Sequence, residues 1–230
     1  MYNLIQQQFS PALKETTFRW YVYELKRANI IISVKRGVYK LFTGKKDYYP
    51  ALSNKQKRVS RLVNKSYSNI SYCSWNSSWF NDFAQHQAAS NILFLEVESE
   101  LIEPVFYLLL DNSIQNVYIE PDKETIDDYI SENRESVIIK PLITKSPLYK
   151  YHSVPIPHLE KILVDLFCDD KLLQAYQGEE LIIIFRNAFD EYKVNISRLL
   201  NYSRRRNRKV NKLKDFLIQN KILERKLFTT

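Results

Sequence analysis

Residues 16–42 of this 230-residue chain read TTFRWYVYELKRANIIISVKRGVYKLF, and this stretch decides the fold of the N-terminal part. Phe18, Val22 and Leu25 stand at positions i, i+4 and i+7. That spacing predicts a helix that begins near Thr16 and packs one apolar face inward. The remaining positions of the helix then point away from the core.

A basic hairpin is predicted directly after this helix. Two runs rich in β-branched residues, within 30–42, flank the tripeptide Lys35-Arg36-Gly37. Upstream, a short helix over 2–8 and a turn at Ser10-Pro11 are predicted. Helix, turn, longer helix and hairpin is the order of a winged helix-turn-helix, whose longer helix enters the major groove. The alternative is a small helical cap with a solvated hairpin.

The exposed positions of the longer helix and the hairpin tip carry hydroxyl, cationic and aromatic side chains. Such side chains suit phosphate contact, stacking and base-edge contact in double-stranded DNA. The expected DNA-binding residues are Thr16, Thr17, Arg19, Trp20, Tyr23, Lys26, Lys35 and Arg36.

Charge is segregated along the chain. Residues 1–65 hold 14 lysines and arginines against 3 acidic residues, a net charge of +11. Residues 66–170 hold 6 against 17, or −11, and residues 171–230 hold 14 against 6, or +8. Basic ends of this kind favour a polyanionic partner, because lysine and arginine release counterions from phosphates.

A polar stretch over 43–54 predicts a domain boundary near Lys46, with a winged helix in 1–46 and a larger domain in 47–230. A basic helix over 55–67 opens the larger domain, its outer face either solvated or in contact with DNA. Beyond it, predicted strands at 71–75, 92–97, 116–120 and 137–139 alternate with predicted helices at 81–89, 102–110, 123–133, 158–167 and 171–175. This alternation predicts a mixed α/β fold.

A basic helical segment follows over 197–217. Three roles are open for this segment: its charges are offset within the protein or solvated, they form a second contact with DNA, or they bind a protein partner. Its cationic positions form a predicted second basic surface of Arg204, Arg205, Arg206, Arg208, Lys209 and Lys212.

Three motifs resemble the AbiEi family of antitoxins. They are Thr16-Thr17-x-x-Trp20 with the later Arg36-Gly37-Val38-Tyr39, the segment 154–165 opened by prolines, and the tyrosine- and arginine-rich segment 196–208. Residues 65–150 match only in architecture. The resemblance implies an N-terminal winged helix that represses its own promoter, and a larger domain that counters a nucleotidyltransferase-like toxin in a type IV system of abortive phage infection. It leaves open whether antitoxin and toxin touch.

The residues of catalytic and metal sites are sparse, and we expect a protein without enzymatic activity, cofactor or bound metal. The 3 glycines form no phosphate-binding loop, and the 3 histidines lack metal-ligand spacing. Glu191-x-Lys193 has the residue types of a metal-dependent nuclease site, but it lies between two predicted helices and not on a predicted strand. A metal-dependent nuclease and a stand-alone regulator with a sensing domain remain the alternatives.

Three smaller expectations concern burial and location. Cys73 and Cys168 are expected to be buried free thiols, and Glu160 and Asp165 to belong to a helix cap or a salt-bridge network. No apolar run approaches the roughly 20 residues that span a bilayer, so a cytoplasmic protein without membrane contact is expected. Two molecules on repeated DNA half-sites, a homodimer on its operator, would fit a winged-helix repressor.

Overall fold

The structure, a computed structural model, divides the chain into two units, Met1–Asp47 and Tyr48–Thr230. It describes residues 14–27, 30–35, 38–41, 44–67, 69–88, 91–130, 135–207 and 210–224. The class is mixed α/β, as the alternating sequence pattern predicts. Within the described residues, no helix has both the length and the apolar character that crossing a membrane requires.

The smaller unit contains one described helix and one hairpin. Helix α1 spans Glu15–Arg27, and strands β1 (Ile31–Lys35) and β2 (Val38–Leu41) pair antiparallel. Val22 is buried, as expected from the apolar spacing of the helix. The predicted helix over 2–8, the turn at Ser10-Pro11 and the hairpin tip at Arg36-Gly37 lie outside the described residues.

A four-stranded sheet organises the larger unit. Its strands are β3 (Tyr72–Asn76), β4 (Asn91–Val97), β5 (Val117–Ile119) and β6 (Glu135–Pro141), in the order β3-β4-β6-β5. Strands β4, β6 and β5 run parallel, whereas β3 is antiparallel to β4. The central strands are apolar runs because both of their faces are covered.

Helices α2 (Asn54–Ser66) and α3 (Ile102–Asp111) cover one face of the sheet. Val59 and Leu109 lie in one core with Leu93 and Leu95 of β4. Phe94, between those two leucines, lies in the other core, because side chains alternate across a strand. Glu96 alternates in the same way and therefore points to the face of Phe94.

The second face is covered by the C-terminal half of the chain. A hairpin of β7 (Leu148–Tyr151) and β8 (Val154–Pro157) leads into four helices. These are α4 (Leu159–Cys168), α5 (Glu179–Glu191), α6 (Ile196–Asn207) and α7 (Val210–Gln219). All four place apolar residues in the core that contains Phe94.

The structure corrects two predicted helices. Of the first, 81–89, the structure describes 81–88, which contain the end of a 3-10 helix, Ser77–Asp82, and irregular chain. The second, 171–175, contains turns and the start of the 3-10 helix Gln174–Tyr176. The predicted helix over 123–133 is helical wherever it is described, as an α-helix, Lys123–Thr125, that continues into a π-helix, Ile126–Ile130, with 131–134 outside the described residues. Short apolar patterns do not separate a helix from packed loops, which explains these errors.

Candidate nucleic-acid interface and buried charge cluster

Helix α1 has the predicted inward face in part, because Val22 is buried whereas Phe18 and Leu25 are half-buried. Val22 is 8% exposed, whereas Trp20 is 56% and Tyr23 is 62% exposed. The six helix positions predicted to meet DNA are all exposed: Thr16, Thr17, Arg19, Trp20, Tyr23 and Lys26. Tyr21, on another side of the helix, is also 50% exposed, so exposed aromatic side chains are not confined to this face.

Side-chain contacts connect this helix face to its neighbours. The ammonium of Lys26 lies 5.9 Å from the centre of the Tyr39 ring on β2, which ties the helix to the hairpin. Arg19 forms an exposed ion pair of 2.7 Å with Glu15, one turn earlier. Such a surface pair stabilises little, so the guanidinium is available to another anion at low cost.

The hairpin residues predicted to meet DNA are only partly described. Lys35 ends β1, but its side chain lies outside the described residues, as does the whole of Arg36. The structure therefore brings the six helix positions together on one element and leaves the hairpin tip untested.

The second basic surface is smaller than predicted. Arg204 and Arg205 on α6 and Lys212 on α7 are exposed, whereas Arg208 and Lys209 lie outside the described residues. Arg206 does not belong to this surface, because its side chain points inward to the carboxylate of Asp165.

A groove of about 300 Å³ adjoins the exposed part of this surface. Lys145, Arg198 and Arg205 line it together with the amides of Asn195 and Asn201. None of its described lining residues is acidic, so the groove suits an anion.

A buried charge cluster, consisting of Glu96, Lys161, Asp165 and Arg206, lies between the sheet and helices α4 and α6. Lys161 is fully buried, and its ammonium donates to Glu96 Oε1 and Asp165 Oδ2, each at 2.6 Å. Arg206 Nε donates to Asp165 Oδ1 at 3.0 Å. The two carboxylates thus share two cations, which offsets much of the cost of removing these charges from water.

Neutral groups complete the hydrogen bonding of the cluster. Trp75 Nε1 donates to Glu96 Oε1 at 2.8 Å, and the hydroxyl of Tyr202 donates to Asp165 Oδ1 at 3.0 Å. The Lys161 ammonium also lies 5.3 Å from the centre of the Tyr202 ring. The cluster therefore binds β3, β4, α4 and α6 to one another through polar contacts.

The protonation of the cluster is fixed by its partners. Burial alone would raise the pKa of Asp165, but Lys161 and Arg206 hold it below its ordinary value of 3.8. Burial alone would lower the pKa of Lys161, but the carboxylates of Asp165 and Glu96 outweigh the effect of burial and raise this pKa above 10.5. Both groups are therefore charged at neutral pH. Burial, and then Glu96, raises the pKa of the nearby Cys73 thiol, which keeps it protonated and unreactive.

The sequence predicted part of this arrangement. Asp165 does belong to a salt-bridge network, and Glu160 forms another with Arg198 at 3.3 Å while accepting the backbone N–H of Asn195. The roles of Glu96 and Lys161 were missed, although a glutamate inside the run Ile-Leu-Phe-Leu-Glu-Val is a detectable signal. A charge in a buried strand requires a buried partner of opposite sign.

A cavity of about 100 Å³ lies beside the cluster, at the carboxyl ends of the parallel strands. Glu96, Glu120, Lys140 and Asp165 are among its lining residues, and Lys140 is paired with Asp169. Ligands of open α/β sheets bind at this edge, but organic ligands generally need pockets of about 300 Å³ or more. The cavity has room only for water or a small ion.

Other candidate residues lie where the sequence predicted. Glu191 ends α5 and Lys193 follows it, both away from the sheet, and Cys73 and Cys168 are buried free thiols. Within the described part of the chain, no three histidine, cysteine or acidic side chains converge in a way that could hold a metal ion.

Comparison with known proteins identifies one family. The family model described as a family of unknown function, DUF6577, matches residues 17–223. The match begins inside α1 and ends after α7, so it includes parts of both units. No curated protein matches the chain.

Proposed function

The chain belongs to the DUF6577 family, whose function is unknown, and we propose that it binds double-stranded DNA and regulates transcription. The observation that carries the proposal is the outer face of α1. This face exposes Arg19, Trp20, Tyr23 and Lys26, and the buried Val22 lies at its edge, one turn from Arg19 and from Lys26. Cationic and aromatic side chains on one helix face are the chemistry that reads and grips a duplex.

In this proposal, Met1–Asp47 is a winged helix. Helix α1 enters the major groove, and the hairpin of β1 and β2 contacts the adjacent backbone with Lys35 and Arg36. Thr16 and Thr17 lie in the first turn of α1, where hydroxyls and free backbone N–H groups bind a phosphate. Lys26, held beside Tyr39, places a charge between the helix and the hairpin.

We further propose that the chain represses its own promoter and acts as an antitoxin. This part rests on the resemblance of three motifs to the AbiEi family and implies a nucleotidyltransferase-like toxin as partner. The larger unit then carries the antitoxin function. The exposed Arg204, Arg205 and Lys212 are its second contact, either with DNA or with the toxin.

DNA binding is tested by fluorescence anisotropy of the full chain with a labelled duplex taken from upstream of its gene. Arg19→Ala and Lys26→Ala should each weaken binding by about tenfold, the equivalent of about 1.4 kcal/mol. Lys171→Ala, an exposed lysine outside the predicted interface, is the control and should bind like the unaltered chain. Equal affinity of all four proteins would refute the proposed interface.

The antitoxin proposal needs a separate experiment. The neighbouring gene is expressed alone and together with this chain, and growth of the host cells is followed. Arrest by the neighbour alone, with rescue by this chain, is the expected result. A neighbour without effect on growth would leave a stand-alone regulator as the better assignment.

A further inference from the structure

The open edge of the sheet carries an inference that does not depend on DNA binding. Among the described strands, β5 is the last in the order β3-β4-β6-β5, so only one of its sides is paired. We propose that this edge, with the acidic groove beside it, binds a lysine- or arginine-rich extended segment of a partner protein as an added strand.

Within the described part of the chain, the backbone of β5 has groups on its outer side that no other strand pairs. The carbonyl of Asn116 accepts from Val137 N at 2.8 Å, and Glu120 N donates to the carbonyl of Ile139 at 3.4 Å, so both face β6. Because backbone groups alternate along a strand, those of Val117 and Ile119 face the open side. Within the described residues these two donors and two acceptors have no partner; Ile119 is half-buried and Val117 is 8% exposed, so an added strand meets the edge at Ile119 first.

A groove of about 430 Å³ runs along this edge. Phe106 of α3 and Tyr118 and Ile119 of β5 form its apolar part, and Glu120 and Asp122 supply the charge. An added strand would place one row of side chains over the apolar part and the alternate row toward the carboxylates.

Apolar surface extends beyond the groove on α3. Tyr107 is 61% exposed, and Leu110, one turn after Phe106, is 43% exposed. Large apolar side chains beside an unpaired strand edge are what a partner covers.

Charge identifies the chemistry of the occupant. Residues 98–130 contain nine acidic residues and a single basic one, Lys123. The carboxylate of Glu120 has no hydrogen-bond or ion-pair partner within the described residues. An acidic segment of this density repels an acidic chain and attracts a basic one, so the occupant is cationic.

The test uses the full chain and a capped nine-residue peptide of alternating lysine and valine. NMR should show slower hydrogen exchange at the Val117 and Ile119 amides when the peptide binds, because these N–H groups become bonded. A glutamate–valine peptide and a lysine–proline peptide are the controls. The first has the wrong charge, the second lacks backbone N–H groups at alternate positions, and neither should protect the two amides.

Substitution separates the groove from general attraction by charge. Glu120→Gln with Asp122→Asn removes two carboxylates and keeps an asparagine that can cap the following turn. This double variant should bind the lysine–valine peptide about fivefold more weakly, which is the effect expected from the loss of two exposed ion pairs. Glu179→Gln with Asp190→Asn, the same charge change on α5, should have no such effect.

Three results would overturn the proposal. The first is peptide binding without slower exchange at Val117 and Ile119. The second is an equal loss of affinity in both double variants. The third is protection of the two amides in the free chain, which would show that the chain covers its own edge.

Discussion

Lys161 of the larger unit is a fully buried cation between two carboxylates. Its removal leaves Glu96 and Asp165 next to each other in the interior with less than their full complement of positive charge. Breaking a buried pair by removing one partner is more costly than never having formed it. The stability of the sheet–helix interface therefore depends on this side chain.

Lys161→Met is expected to lower the free energy of unfolding by about 3–5 kcal/mol. Urea denaturation followed by circular dichroism measures the loss, and Lys171→Met, at an exposed position, is the matched control. A change below about 1 kcal/mol, within the range of an ordinary surface substitution, would show that the cluster is not a stabilising unit.

The cluster also predicts how stability depends on pH. The lowered pKa of Asp165 means that its contribution is complete above its ordinary value of 3.8 and is lost as pH falls through the lowered value. The raised pKa of Lys161 means that its contribution is complete below 10.5 and is lost as pH rises through the raised value. The contributions of Asp165 and Lys161 to stability are therefore constant between these limits.

Asp165→Asn tests this dependence. Its deficit in unfolding free energy relative to the unaltered chain should be largest near neutral pH. It should begin to shrink below pH 3.8, where the unfolded chain takes up the proton, and should vanish as pH falls through the lowered pKa of folded Asp165. Urea titrations at a series of pH values measure the deficit. A deficit of the same size at every pH would contradict the assignment of a buried, charged Asp165.

Of the four residues of the cluster, the sequence predicted only Asp165 as part of a salt-bridge network. Lys161 and Asp165 are four residues apart, so a helix over 158–167 places their side chains next to each other. Glu96 is 65 residues away from Lys161, and only the register of β4 and the packing of α4 join them. Sequence spacing contains no information on such long-range pairs.

Helix α1 is the element on which the proposed function depends. Its inner position Val22 is buried, whereas Trp20 is 56% exposed, with its ring centre 5.2 Å from that of Tyr21. Residues that stabilise the helix and residues that are proposed to bind DNA are thus different. Substitution can separate the two roles.

Trp20→Ala is expected to weaken DNA binding by about tenfold, since contacts of this kind are worth about 1–3 kcal/mol, and to leave the unfolding transition unchanged. Val22→Ala is the converse control, because it removes buried apolar surface at a cost of about 1 kcal/mol or more. Anisotropy and thermal denaturation of both variants give the two readouts. A Trp20 variant that loses stability and keeps its affinity would assign this tryptophan to the fold.

Helices and strands with a clear apolar pattern were predicted from the sequence, whereas elements with a weak pattern were missed. The apolar strands at 92–97 and 137–139 and the helix at 102–110 were confirmed, because their runs are long or strongly periodic. The hairpin of β7 and β8 was missed, since its second strand contains Pro155 and Pro157 and resembles a loop. Continuous helical character over 197–217 concealed two helices, α6 and α7.

At the scale of the whole molecule, the segregation of charge accounts for two different partners. The +11 of residues 1–65 belongs with the proposed DNA contact, and the −11 of residues 66–170 with the proposed basic segment at β5. The signs of these two net charges follow directly from the composition of the segments. Composition does not predict that the Arg206 side chain points inward or that β5 lies at the edge of the sheet, because both features depend on the packed fold.

The central claim, that α1 binds duplex DNA, is tested most directly by the salt dependence of binding to the DNA upstream of the gene. For the unaltered chain, the logarithm of the binding constant should fall linearly with the logarithm of salt concentration. Arg19→Ala and Lys26→Ala should each make that slope shallower by about one, because each removes about one phosphate contact. The absence of binding to the duplex, or identical slopes for the unaltered chain and both variants, would contradict it.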